Sequence, residues 1–76
     1  MKDLVLLIAQ QLVTHPEAVE VTETERDTVV FLELRVAKED IGRVIGKEGR
    51  TAEAIGTIIK AIAARAKRKV VLEIVE

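Results

Sequence analysis

Apolar and polar positions change period several times along this chain, and each change marks an element. From Asp3 to Val13, residues Leu4, Leu7, Ile8 and Leu12 recur at i, i+3 and i+4 spacing, which predicts an amphipathic helix. Thr14-His15-Pro16 ends it, because the residue before a proline is pushed out of the helical region. Ala18 to Thr24 alternates Val19 and Val21 with Glu20 and Thr22, the pattern of a short half-exposed strand. Glu25-Arg26-Asp27 reads as the turn. Thr28 to Val36 is a stronger strand: Val30, Leu32, Leu34 and Val36 share one face, and Glu33 and Arg35 the other. Their close spacing makes the two strands an antiparallel hairpin.

Helical periodicity returns at Lys38 to Ile45, with Glu39 and Asp40 in the first turn, where negative charge suits the helix dipole. It breaks at Gly46-Lys47-Glu48-Gly49 and resumes from Arg50 to Ala66. Lys67-Arg68-Lys69 leads into a last strand, Val70 to Val75. The order is α-β-β-α-α-β. A strand–helix–helix–strand crossover within one sheet makes its two strands parallel. The expectation is therefore an α+β fold over residues 1–76, a single domain with a mixed three-stranded sheet and its helices packed on one face. On the long helix, Ala52, Ile55, Ile59, Ile62 and Ala66 form the stripe expected to face the sheet. Ala54, Ile58 and Ala61 form a second stripe, which marks Ile58 as an interface residue.

Composition narrows the chemistry. There is no cysteine, so disulfides and zinc–thiolate sites are excluded, and serine and tyrosine are missing as nucleophiles. The single histidine, His15, sits beside a proline at a helix end, a place for solvation or capping. Glu20, Glu23, Glu25 and Asp27 lack the spacing of a cation-binding loop. No metal, cofactor or enzymatic activity is expected. No apolar run approaches the ~20 residues of a membrane span. Asp3 and Gln10-Gln11 argue against a signal peptide, so a cytoplasmic location is expected. The net charge is only −1, but it is polarised. Residues 1–37 carry three Lys/Arg against seven Asp/Glu, and residues 38–76 carry nine against six. The basic half holds the glycine segment.

That segment fails two phosphate-loop patterns. A Walker loop needs a hydroxyl residue after its lysine, where Glu48 stands, and the dinucleotide fingerprint must follow a strand. What remains is helix–GxxG–helix, either a plain tight corner or a bare backbone that a ligand approaches. The run Ile41-Gly42-Arg43-Val44-Ile45-Gly46-Lys47-Glu48-Gly49-Arg50 resembles the core signature of KH domains. In such domains the GxxG loop clamps about four backbone nucleotides. The element order is that of the type II arrangement. The whole chain resembles the small bacterial KhpA family, also through His15-Pro16, GRVIGKEGRTAEAI and the terminal VVLEIV.

The resemblance implies cytoplasmic single-stranded RNA binding, an RNA-chaperone role, and a complex with a KhpB-like RNA-binding protein. In some bacteria that pair is linked to cell shape and peptidoglycan homeostasis. Arg43, Lys47 and Arg50 would supply charge, Gly46 and Gly49 close approach, and Ile41, Val44 and Ile45 an apolar floor under the bases, with Gly42 in the same RNA-binding run and Glu48 in the loop partly cancelling Lys47. Lys67, Arg68 and Lys69 are either a solvated turn or secondary RNA contacts. Ala52 and Gly56 depart from the family pattern, which has a larger aliphatic and an arginine there. The only aromatic residue, Phe31, lies far from the motif, so stacking would contribute little. The competing role is an interaction subunit, dimerising with itself or a KhpB-like partner through Ala54, Ile58 and Ala61.

Overall fold

The computed structural model describes residues 1–76. Helix α1 (Lys2–Leu12) leads through a 3₁₀ turn at Pro16–Ala18 into strands β1 (Glu20–Arg26) and β2 (Val29–Arg35). A second 3₁₀ turn, Lys38–Asp40, opens α2 (Ile41–Ile45); α3 (Arg50–Arg65) and β3 (Lys69–Val75) complete the chain. β2 is central, antiparallel to β1 and parallel to β3. The mixed α+β sheet expected from the crossover is therefore present, with all three helices on one face.

The alternation in β2 decides that face. Val30, Leu32, Leu34 and Val36 are buried, while Phe31 and Arg35 point to the open side. Val5 and Ala9 of α1, Val44 of α2, and Ile55, Ile59 and Ala63 of α3 close over them. Fully burying one such aliphatic side chain stabilises the fold by about 1.5–3 kcal/mol.

Three expectations are corrected. In α1 the buried pair is Val5 and Ala9, and Leu7 is 56% exposed, because Leu4 to Ala9 is apolar all round and its period cannot choose a side. In α3, Ala63 takes the core position, while Ile62 and Ala66 are exposed; the small alanine lets the helix approach the sheet. Strand β1 lies two residues later than expected, at Glu20–Arg26. Pro16–Ala18 is spent on its own turn, and Arg26 pairs with Val29 across a two-residue loop, Asp27-Thr28. Asp27 takes the left-handed conformation (φ 56°) that this tight loop demands.

Candidate nucleic-acid interface

Helix α2 is only five residues long and stops at Ile45 because Gly46 leaves helical space at φ 78°, ψ 175°, a region open essentially to glycine. A single 3₁₀ turn, Lys47–Gly49, joins α2 to α3. Gly49 (φ 76°, ψ 8°) then sets the start of α3. The glycines differ in kind. A Cβ on Gly46 would lie 2.1 Å from Thr51 Oγ1 and 2.9 Å from the Thr51 amide nitrogen, so this position is closed. Gly49 needs its left-handed backbone but faces open space, and Gly42 is helical with nothing near it. Gly46 thus makes a tight corner, and the backbone outside it is left bare.

Lys47 and Glu48 are exposed at the tip, and Glu48 itself is left-handed (φ 58°). Arg50 lies 3.7 Å from Glu48, and Arg43 lies 3.8 Å from the buried carboxylate of Asp40. Lys47 alone among the three cations here has no acidic partner. Ile45 is exposed and Ile41 half-buried. Val44 is a correction: it is completely buried in the main core, so it supports the corner from beneath and offers no surface to a base.

Asp40 is the feature that sequence reasoning assigned too little. Beyond sitting in a first turn, it is sealed from solvent and accepts hydrogen bonds from the Thr14 amide (3.0 Å), the Thr14 hydroxyl (2.8 Å) and the His15 amide (3.0 Å). Burial alone would raise its carboxyl. The Thr14 and His15 hydrogen bonds, with a smaller electrostatic effect of the nearby His15, outweigh burial and hold it below the ordinary carboxylate value. The end of α1 is thereby tied to the start of α2. The His15 ring stands between Glu17 (3.5 Å) and Glu39 (3.3 Å).

A groove was also missed. It runs from the first turn of α3 along the edge strand β3, holds about 590 Å³, and is lined by Ala52, Gly56 and Lys60 opposite Val71, Leu72 and Ile74. The sequence signal was there, since Ala52 and Gly56 are the small residues that keep it open. Helix α3 therefore has three faces: Ile55, Ile59 and Ala63 on the core, Ala52 and Gly56 on the groove, and an outer face with Ala54, Ile58 and Ala61. All three residues of that last stripe are exposed, Ile58 by 47%, and exposed Ile62 joins them. Lys67, Arg68 and Lys69 are not brought to the glycine corner. They follow the far end of α3, a helix of sixteen residues and hence about 24 Å long. There Arg68 pairs with Glu25, and Lys69 starts β3.

Residues 2–74 match the family described as KhpA/KhpB, KH domain. The chain is 49% identical over 75 residues to the RNA-binding protein KhpA of Caldanaerobacter subterraneus subsp. tengcongensis, covering 99% of this chain and 100% of that protein. It is 49% identical over 76 residues to the RNA-binding protein KhpA of Listeria monocytogenes, covering all of both. To that of Clostridium perfringens it is 51% identical over 75 residues, covering 99% and 100%.

Proposed function

The chain belongs to the KhpA/KhpB KH-domain family, and on that footing we propose that it binds single-stranded RNA at the glycine corner and along the α3–β3 groove. The observation that carries this is the bare corner: an exposed Lys47 without an acidic partner and a Gly49 that faces open space lead directly into the first turn of α3, where Ala52 and Gly56 keep a groove open. A phosphate would meet Lys47, with Arg43 and Arg50 behind it. Bases would lie along Leu72 and Ile74, with Ile45 and Ile41 at the groove's head.

Aliphatic contacts read little sequence, so preference among bases is weak, as suits an RNA chaperone that must engage many strands. The work is binding rather than catalysis, carried out by one KH domain in the cytoplasm. No helix is long and apolar enough to cross a membrane. With few phosphates in reach, the log–log salt slope is about −2 to −4, at about −0.7 per phosphate.

The test is replacement of both Lys47 and Glu48 with Asp, followed by titration against a single-stranded RNA. Both residues are exposed, so circular dichroism stays unchanged while affinity falls. An unchanged affinity in the folded variant removes the corner from the site.

The outer face of α3 favours a second role, self-association or pairing with a KhpB-like protein. Ala54 and Ala61 allow a partner helix to approach, and Ile58 with Ile62 anchors it. This face is used by neither the core nor the groove, so a dimer could hold two corners on one RNA. Ile58→Asp, compared with the parent by sedimentation, should give a folded monomer where the parent dimerises.

A further inference from the structure

The open face of the sheet carries an arrangement the glycine corner does not use. Phe31, the only aromatic residue of the chain, is 40% exposed there. Cross-strand register sets Thr24 on one side of it and Val71, 41% exposed, on the other. One step toward the hairpin loop, the next row is Arg26, Val29 and Lys69. Diagonal neighbours in a sheet lie about 7–8 Å apart, within reach of long side chains, so Phe31 has a cation at each shoulder. Neither Arg26 nor Lys69 takes part in any ion pair of the chain. A hollow of about 260 Å³ lies between Thr24, Arg26 and the Phe31 ring. On the opposite side the row is acidic, with Glu33 beside Glu73 and Glu33 bound to Arg35.

We propose that this face is a second seat for single-stranded RNA, in which one base stacks on Phe31 while the flanking phosphates run on the hairpin side between Arg26 and Lys69. A half-exposed aromatic ring can stack with any base, and the two unpaired cations complement a phosphate chain. Glu33 and Glu73 repel phosphate and so give the strand a single path. Val71, on the edge strand β3, lines both the α3–β3 groove and a second hollow beside Phe31, whose far end is closed off to phosphate by Glu33 and Glu73. A strand leaving the groove can therefore turn over the edge of β3 onto Phe31. That continuity rests on the groove being an RNA site; the Phe31 seat itself does not.

The seat would give Lys69 the role in RNA binding that its distance from the glycine corner denies it. It would also make the protein grip a strand on two faces, a way to hold RNA unpaired without reading its sequence.

Phe31 is the only phenylalanine, so a ring-labelled sample reports this position alone. The probe is a short single-stranded oligoadenylate RNA, added to the full chain and followed by NMR on the ring and on the Lys47–Gly49 amides. Upfield movement of the ring signals is expected in the parent, and it persists in the variant with Lys47 and Glu48 both replaced by Asp. Phe31→Leu keeps an apolar strand residue and lowers affinity about five-fold or more. Arg26→Gln with Lys69→Gln leaves the ring in place and makes the salt slope shallower by about 0.7 for each phosphate no longer neutralised. A ring that stays still while the corner amides move overturns the seat and leaves the corner standing. A moving ring with still corner amides supports the seat and removes the corner instead. Equal ring movement with duplex RNA, or with rising protein concentration and no RNA, overturns the seat as well; the latter assigns the face to a second copy of the chain.

Discussion

At the front of α2, Asp40 is sealed from solvent and its two carboxylate oxygens accept three hydrogen bonds, while at the back Gly46 turns the chain out into water and Lys47 and Glu48 stand exposed. Five residues separate these ends. The front is held by donors from residues 14 and 15, brought in from another part of the chain. The back is held by local backbone conformation and one close approach, Gly46 against Thr51. Rigidity and openness are thus divided between the ends of one short helix. A corner that must leave its backbone free for a ligand cannot also be covered, so it is anchored from behind.

The largest expected effect breaks the front. Asp40→Asn presents an amide to donors that need an acceptor, and it should lower the urea midpoint more than any single change at the corner. If it costs no more than Gly49→Ala, Asp40 is no anchor. The pH dependence follows the same logic. The folded Asp40 carboxyl lies below its ordinary value, so its contribution is fully present above about pH 4. It is lost as pH falls through the lowered folded value, because the unfolded chain takes up the proton first. Acid titration of the urea midpoint should show this fall in the parent and lack it in Asp40→Asn.

Next comes Gly46→Ala, which forces a side chain into a glycine-only conformation and onto Thr51. Backbone strain of this kind costs about 1–3 kcal/mol. Because the clash is with Thr51, adding Thr51→Ala should recover part of the loss, and a double-mutant cycle measures how much. Additive effects would mean the approach to Thr51 contributes nothing.

Gly49→Ala is smaller, about 1 kcal/mol, since its left-handed backbone is strained but its Cβ meets nothing. The smallest effects have the opposite sign. Gly42→Ala and Gly56→Ala lie in helical backbone with free space and should each stabilise the fold by up to about 1 kcal/mol. Thermal melts give the sign. An RNA titration on the same proteins sharpens the comparison, because a variant that gains stability and loses affinity identifies a glycine kept for the ligand.

Several features could be read without coordinates, for one reason: their determinants are close in sequence. Val30, Leu32, Leu34 and Val36 announced the buried face of β2 because charged residues alternate with the later ones. The corner announced itself because two glycines three apart interrupt a helical period. The crossover from β2 to β3 forced parallel pairing, since chain handedness leaves little choice. These features also carry the resemblance to KH domains.

Other features needed the folded chain. Leu4 to Ala9 is apolar on every side, so only docking on the sheet could select Val5 and Ala9 over Leu7. Ala63 outranked Ile62 in the core because it continues the i, i+4 row of Ile55 and Ile59 that docking turned onto the sheet, whatever its hydropathy. Val44 looked like a surface residue beside the motif and is buried beneath it. Asp40 looked like a first-turn charge placed for the helix dipole, and its partners Thr14 and His15 lie 26 and 25 residues away. The neighbours of Phe31 come from three strands and follow only from register. Local sequence determines backbone preference and which side chains could be buried. Which of them are buried, and which charges meet, is decided when distant segments compete for the same volume.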